Sequence, residues 1–190
     1  MNLKIKKIIL KKNKTKIVSL TAYSKSIAKI LDKHCDIILV GDSMANVLYG
    51  DNNTDKVTLN NIIQHSISVR KGVKKSLLVV DMPKGTYSNS SKAIHNAKMI
   101  MNTTNCDAIK LESNKNNYRI IKSLVKKKIP VMGHIGFTPQ FKKKFKLEGK
   151  TNKEAYALLK EAKLIEKAGA FSIVLECLTS NSAQLITNSI

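Results

Sequence analysis

The most constraining feature of this chain is an alternation of two hydrophobic patterns. Short apolar runs occur at residues 17–20 (IVSL), 37–40 (IILV), 77–80 (LLVV), 108–111 (AIKL), 129–132 (IPVM) and 171–175 (FSIVL). Runs of four or five residues rich in Ile and Val read as strands buried on both faces, as parallel sheets require. Between them, apolar residues recur at helical spacing. Ile27, Ile30 and Leu31 form one stripe, and Ile62, Ile63, Ile67 and Val69 a second, with Thr58 as N-cap. Ala93, Ala97, Ile100 and Met101 follow a Ser90-Ser91 start, and Ile120, Ile121, Leu124 and Val125 mark a helix over 116–127. The clearest stripe lies in 153–167, with Ala155, Leu158, Leu159, Ala162 and Ile165 on one face and Gly169 as the stop. A last helix is predicted from Ser180 to about Ile186.

Strand and helix alternating about six times indicates right-handed βα units on a parallel sheet. An open doubly wound sheet and a (β/α)8 barrel both fit. The absence of GxGxxG or GxxxxGK[ST] after the first strand weakens the nucleotide-binding open sheets. At 190 residues the length suits one domain over 1–190, and no repeat or interdomain linker is evident. No apolar run reaches the roughly 18 residues of a membrane span. The basic N-terminus has only three consecutive apolar residues, 8–10, too few for a signal peptide, so a cytoplasmic location is expected.

A formal charge of +21 and a pI near 9.9 ordinarily suggest a polyanion partner. Here all basic residues but Arg70 and Arg119 are lysine, aromatics make up 5%, and there is no Trp. Specific phosphate and base recognition favours the arginine fork and stacking rings. The lysines are scattered among many Asn and Ile, the residues that AT-rich codons encode, so a solvated surface with no specific nucleic-acid or membrane partner is expected. Cys35, Cys106 and Cys177 are widely spaced and belong to no CxxC or Cys/His cluster, so reduced, mostly buried thiols are expected.

Chemistry collects at one end of the predicted strands. Gly41-Asp42-Ser43 follows the second, and Asp81-Met82-Pro83 the third. The fourth carries Lys110 and Glu112, the fifth leads into Gly133-His134-Ile135-Gly136, and the sixth ends at Glu176. An Asp after a strand is often only a helix cap, and His134 alone could be a structural histidine. Five successive strands delivering ionisable or hydroxyl groups to the same end point instead to one rim, as at the C-terminal face of a barrel. Two Asp and a Glu are hard oxygen ligands suited to Mg²⁺, and Glu176 has no structural need at a strand end.

The chain resembles the ketopantoate hydroxymethyltransferase (3-methyl-2-oxobutanoate hydroxymethyltransferase) family. The matching segments are KIVSLTAYS (16–24), DIILVGDSMANVLYG (36–50), VTLNNIIQHSISVRKG (57–72), LLVVDMPKGTY (77–87), AIKLE (108–112), IPVMGHIGFTPQ (129–140) and AGAFSIVLEC (168–177). The resemblance implies an α/β fold, a (β/α)8 TIM-type barrel of the phosphoenolpyruvate/pyruvate kind. It also implies hydroxymethyl transfer from 5,10-methylenetetrahydrofolate to 3-methyl-2-oxobutanoate, giving 2-dehydropantoate for pantothenate synthesis. Carried over by motif, Asp42, Asp81 and Glu112 hold Mg²⁺. Asp42, Ser43, Asp81 and Lys110 contact the 2-oxo acid, His134 lies in the same pocket, and Glu176 is the proton acceptor. A homo-oligomer is implied as well, since the family forms decamers.

Four departures stand out: Ala45 for a usual Gly, Ser24 for a usual Asp, Lys84 for an apolar residue, and a short basic FKKKFKLEGK (141–150) for a glycine-rich loop. None removes a residue to which chemistry is assigned. The resemblance accounts for about six of eight βα units, so this chain alone is expected to be poorly active. Two other readings stand beside this one. A Mg²⁺-dependent 2-oxo acid lyase of the same barrel type would carry a KKCGH-like loop, which is lacking. A non-catalytic remnant or basic polyanion-binding protein would show salt-dependent nucleic-acid binding without turnover.

Overall fold

The computed structural model describes residues 2–114 and 117–190. Residues Met1–Lys110 and Leu111–Ile190 form two compact units.

The first unit opens with α1 (Leu3–Leu10), capped by the Asn2 side chain and buried through Ile5 and Ile8. Asp107 fastens this helix. Its carboxylate accepts from Asn2 Nδ2 at 2.9 Å, Lys4 Nζ at 3.3 Å and the Leu78 amide at 2.9 Å. Then come β1 (Ser19–Thr21), α2 (Lys25–Leu31), β2 (Ile37–Val40), α3 (Met44–Leu48), α4 (Leu59–Arg70), β3 (Leu77–Asp81), α5 (Ser90–Thr104) and β4 (Ala108–Glu112). The strands pair in parallel: Leu20 opposite Ile38, Ile38 opposite Leu78, and Asp81 opposite Lys110. Both β2 and β3 are almost wholly buried, as an Ile/Val run between covering helices should be. Thr58 caps α4 in a reciprocal box with Asn61.

Two expectations fail here. The strands are not uniformly buried: all of β1 is exposed, and β1 is hydrogen-bonded along one edge, to β2, among the described residues. The apolar stripe of α2 also faces the wrong way. Ala28 is its buried residue, while Ile27 and Ile30 are 50% and 61% exposed. The cause is a close backbone approach at Gly72, where a Cβ would lie 2.5 Å from the Lys25 carbonyl and 2.9 Å from Ala28 Cβ. Only the small-residue side of α2 fits against that turn, and the two isoleucines rotate outward.

Asp32, just past α2, positions the chain entering β3. Its carboxylate accepts amide hydrogen bonds from Lys74 at 2.9 Å, Lys75 at 3.0 Å and Ser76 at 2.8 Å. Burial pushes this carboxyl up, but the hydrogen bonds from Ser76, Lys74 and Lys75 outweigh it and hold the group below its ordinary value.

The second unit holds the end of β4, then α6 (Tyr118–Lys126), β5 (Val131–Gly136), α7 (Asn152–Lys167), β6 (Ser172–Glu176) and α8 (Ser180–Ser189). Asn116, the predicted start of the fourth helix, lies outside the described residues. The predicted face of α7 is buried residue for residue. Strand β5 starts later than predicted, at Val131 rather than Ile129, because Pro130 has no N–H to give a ladder. It runs to Gly136 and carries His134 within it. β6 runs parallel to β5, with His134 opposite Val174 and Gly136 opposite Glu176. Its residues are only partly buried, which again corrects the expectation of strands covered on both faces.

Cys35, Cys106 and Cys177 are free thiols; Cys106 is buried and the other two are partly so. Burial pushes the Cys106 thiol up to about 11, leaving it un-ionised at neutral pH. No helix among the described residues is long and apolar enough to cross a membrane.

Candidate active site

In the first unit the ends of β2 and β3, with Lys110 within β4, carry the polar groups. Asp81 closes β3 and is 1% exposed; Lys110 lies opposite it on β4 and is also buried. Lys110 Nζ sits 2.8 Å from both carboxylate oxygens of Asp81. The Asp42 amide points at Asp81 Oδ2 from 3.4 Å. Burial drives the Asp81 carboxyl up, the Lys110 ammonium opposes it, and the Asp42 charge adds to the rise, leaving it at about 7. Ser43 joins the same side. A Cβ on Gly41 would lie 3.0 Å from Ser43 Oγ and 3.6 Å from Asp81 Oδ2. Asp42, Ser43, Asp81 and Lys110 therefore lie close together.

In the second unit the predicted residues again come together. Glu112 ends β4 and accepts the Gln140 amide on Oε2 at 3.0 Å. His134 is buried between two carboxylates, with Nδ1 3.6 Å from Glu112 Oε1 and Nε2 3.1 Å from Glu176 Oε2. The Glu176 side chain differs from both neighbours in exposure, at 38% against 1% for Glu112 and 2% for His134. Its backbone is held by the Phe137 amide, which donates to the Glu176 carbonyl at 2.9 Å. Gly136 makes that contact feasible: it has φ +94°, and a Cβ there would lie 2.2 Å from the Glu176 carbonyl oxygen.

The first cluster pairs a buried carboxylate with a buried ammonium, and the second sets an imidazole between two carboxylates. The donor set around Asp42 and Asp81 fits Mg²⁺: both are oxygen ligands, and the raised Asp81 carboxyl reports burial and carboxylate repulsion that a divalent cation would relieve. Among the described residues no three His, Cys, Asp or Glu side chains stand gathered as a metal cage. A cation at this site would depend on the two aspartates together with substrate oxygens, water or a further carboxylate.

Residue reading alone did not single out Tyr23, Tyr49, His65 and Gln140. Tyr23 hydrogen-bonds Ser43, His65 contacts the Tyr23 backbone, and Gln140 holds Glu112. All four lie inside the motif segments that carry the resemblance, which was the available signal.

Comparison with solved structures matches the fold to enzymes of very different sequence. A 2,3-dimethylmalate lyase of the PEP mutase/isocitrate lyase superfamily matches with a TM-score of 0.71 at 13% identity, covering 98% of this chain and 65% of that one. A phosphonopyruvate hydrolase matches with a TM-score of 0.72 at 11% identity, covering 98% and 68%. These show the fold alone. Sequence comparison is more specific. The 3-methyl-2-oxobutanoate hydroxymethyltransferase of Pelagibacter ubique (strain HTCC1062) is 58% identical over 190 residues, all of this chain and 74% of the relative. That of Clostridioides difficile (strain 630) is 48% identical over 181 residues, 92% of this chain and 66% of the relative. The chain thus spans about two thirds to three quarters of the length of these relatives. Residues 2–190 also match the sequence profile described as ketopantoate hydroxymethyltransferase, and the chain belongs to that family.

Proposed function

We propose that this chain supplies the active-site groups for transfer of a one-carbon unit from 5,10-methylenetetrahydrofolate to 3-methyl-2-oxobutanoate, giving 2-dehydropantoate. The observation that carries the reading is Glu176 at the end of β6. It is a partly exposed carboxylate with a buried imidazole nitrogen 3.1 Å from one oxygen. A base that must reach a carbon acid needs one face open to substrate and an orienting partner on the other.

In this reading Glu176 takes the C3 proton of the 2-oxo acid, generating its enolate, while His134 orients the carboxylate. Carbon–carbon bond formation joins C3 to the one-carbon unit. The carbon–nitrogen bonds to the folate break, and water supplies the hydroxyl that the methylene carrier lacks. Asp42 and Asp81 would hold Mg²⁺, which when bound would stabilise negative charge on the keto and carboxylate oxygens. Lys110 contributes a fixed cation, with two of its hydrogen bonds committed to Asp81. Ser43 Oγ, 2.8 Å from the Tyr23 hydroxyl, offers a polar contact to the substrate carboxylate. A (β/α)8-type barrel, a homo-oligomer and a cytoplasmic location belong to the same proposal.

The test is exchange of the C3 proton of 3-methyl-2-oxobutanoate in deuterated buffer with Mg²⁺, followed by NMR. Glu176→Gln should retain binding and lose roughly 10²–10⁴-fold in exchange rate. Undiminished exchange would remove Glu176 from the role.

A further inference from the structure

His65 lies on α4 and is absent from the chemistry above, yet it closes a ring of hydrogen bonds around the Asp42–Ser43 edge. Its Nδ1 is 2.7 Å from the Tyr23 carbonyl oxygen. A carbonyl only accepts, so Nδ1 carries the proton. In the neutral ring Nε2 is then an acceptor, and the Tyr49 hydroxyl donates to it at 2.9 Å. The Tyr23 hydroxyl in turn is 2.8 Å from Ser43 Oγ. Ser43 stands at the N-cap of α3 and Tyr49 at its C-cap. The circuit thus runs from Ser43 through Tyr23, His65 and Tyr49, and back along α3 to Ser43.

Packing anchors α3 through Met44 and Ala45, both fully buried, and the circuit adds a polar tie at each end of the helix. Helix α3 has five residues, too few to hold itself in water, and its N-cap Ser43 makes no side-chain capping hydrogen bond. Tyr49 remains 48% exposed, and it meets α4 through its hydroxyl on His65 and through the two rings, 6.1 Å apart. Asp42, one residue before the cap, depends on the same segment for the direction of its carboxylate.

We propose that His65 is a positioning residue for the 2-oxo acid subsite, holding both ends of α3 through Tyr23 and Tyr49 so that Asp42 and Ser43 keep their places. The identity of the ligand rests on the function proposed above; the ring itself does not. His65 touches no substrate in this account. Its effect is transmitted through two tyrosines, so it should appear in binding of the 2-oxo acid rather than in every kinetic constant.

The experiment compares wild type with His65→Ala, His65→Asn and Tyr49→Phe. It reads KM for each substrate, kcat, and amide hydrogen exchange over residues 43–49. His65→Ala should raise KM for 3-methyl-2-oxobutanoate about tenfold, with the folate KM moving less than about twofold, and should speed exchange across α3 about tenfold. Asn reproduces a donor where Nδ1 stood, so His65→Asn should recover most of both losses, and Tyr49→Phe should fall between. Equal damage by Ala and Asn, or parallel loss of both KM values, would overturn the positioning role. So would α3 exchange unchanged in His65→Ala. A wild-type chain that fails to bind 3-methyl-2-oxobutanoate while its α3 exchange still responds to His65 would sink the named ligand, while the ring would stand.

Discussion

Two clusters built from similar residues behave differently. Around Asp81 the charges are buried and bound to each other: Lys110 Nζ is 2.8 Å from both carboxylate oxygens. Around His134 a histidine is buried between two carboxylates, and one of these, Glu176, remains 38% exposed. The contrast shows that a strand-end carboxylate is assigned its task by burial and partners rather than by its type. The carboxylate sealed against a lysine is closed off from solvent, and the one left half open can be reached by a ligand.

The sharpest way to break this comparison is to neutralise Glu176 and ask whether the fold notices. The 10²–10⁴-fold loss expected for proton exchange should come with a stability change within about 0.5 kcal/mol, as for an exposed side chain. A large drop in urea midpoint would place Glu176 with the structural charges instead. The reverse experiment is Lys110→Met, which leaves the Asp81 carboxylate buried without its cation. Breaking a buried pair from one side costs about 3–5 kcal/mol, and adding Asp81→Asn should recover part of it. Full stability in the single variant would show that Lys110 is dispensable to the pair.

Titration sharpens the same contrast. Asp81 stands at about 7 when folded, against 3.8 for the free side chain, so the folded chain binds the extra proton between those values. Stability from this group is therefore present at low pH and falls as pH rises from about 4 to about 7. Urea unfolding in metal-free buffer at stepped pH should show that slope; Asp81→Asn should flatten it, and Mg²⁺ should reduce it. Asp32 has the opposite sign, since its folded carboxyl lies below the ordinary value. Its contribution is present above that ordinary value and is lost as pH falls through the lower folded one. The smallest expected effect is Asp32→Asn, about 1–3 kcal/mol, visible above pH 4 and vanishing in acid. An unchanged acid limb would show that the three amides find other partners.

Legibility in the sequence followed the range of the forces involved. The face of α7 could be read completely because helical period and core side coincide. The face of α2 could not, because a turn at Gly72, some forty residues along the chain, admits only Ala28. Helix α1 escaped notice because its buried Ile5 and Ile8 are spread among lysines, and their burial depends on Asp107 fastening the segment. The strand-end groups could be picked out from their motifs, whereas the Tyr23–His65–Tyr49 ring could not, since no spacing rule links those positions.

By itself, then, the sequence determined the alternation of strand and helix, the family, and the presence of chemical groups at one end of the strands. Period and residue type are local properties that each segment carries alone. Only the tertiary structure decided that Asp81 is sealed against Lys110 with its carboxyl raised, that His134 lies between Glu112 and Glu176, and that Ile27 and Ile30 face outward. Burial, charge neighbours and hydrogen-bond partners are set by atoms from distant parts of the chain, so they exist only once those parts have met.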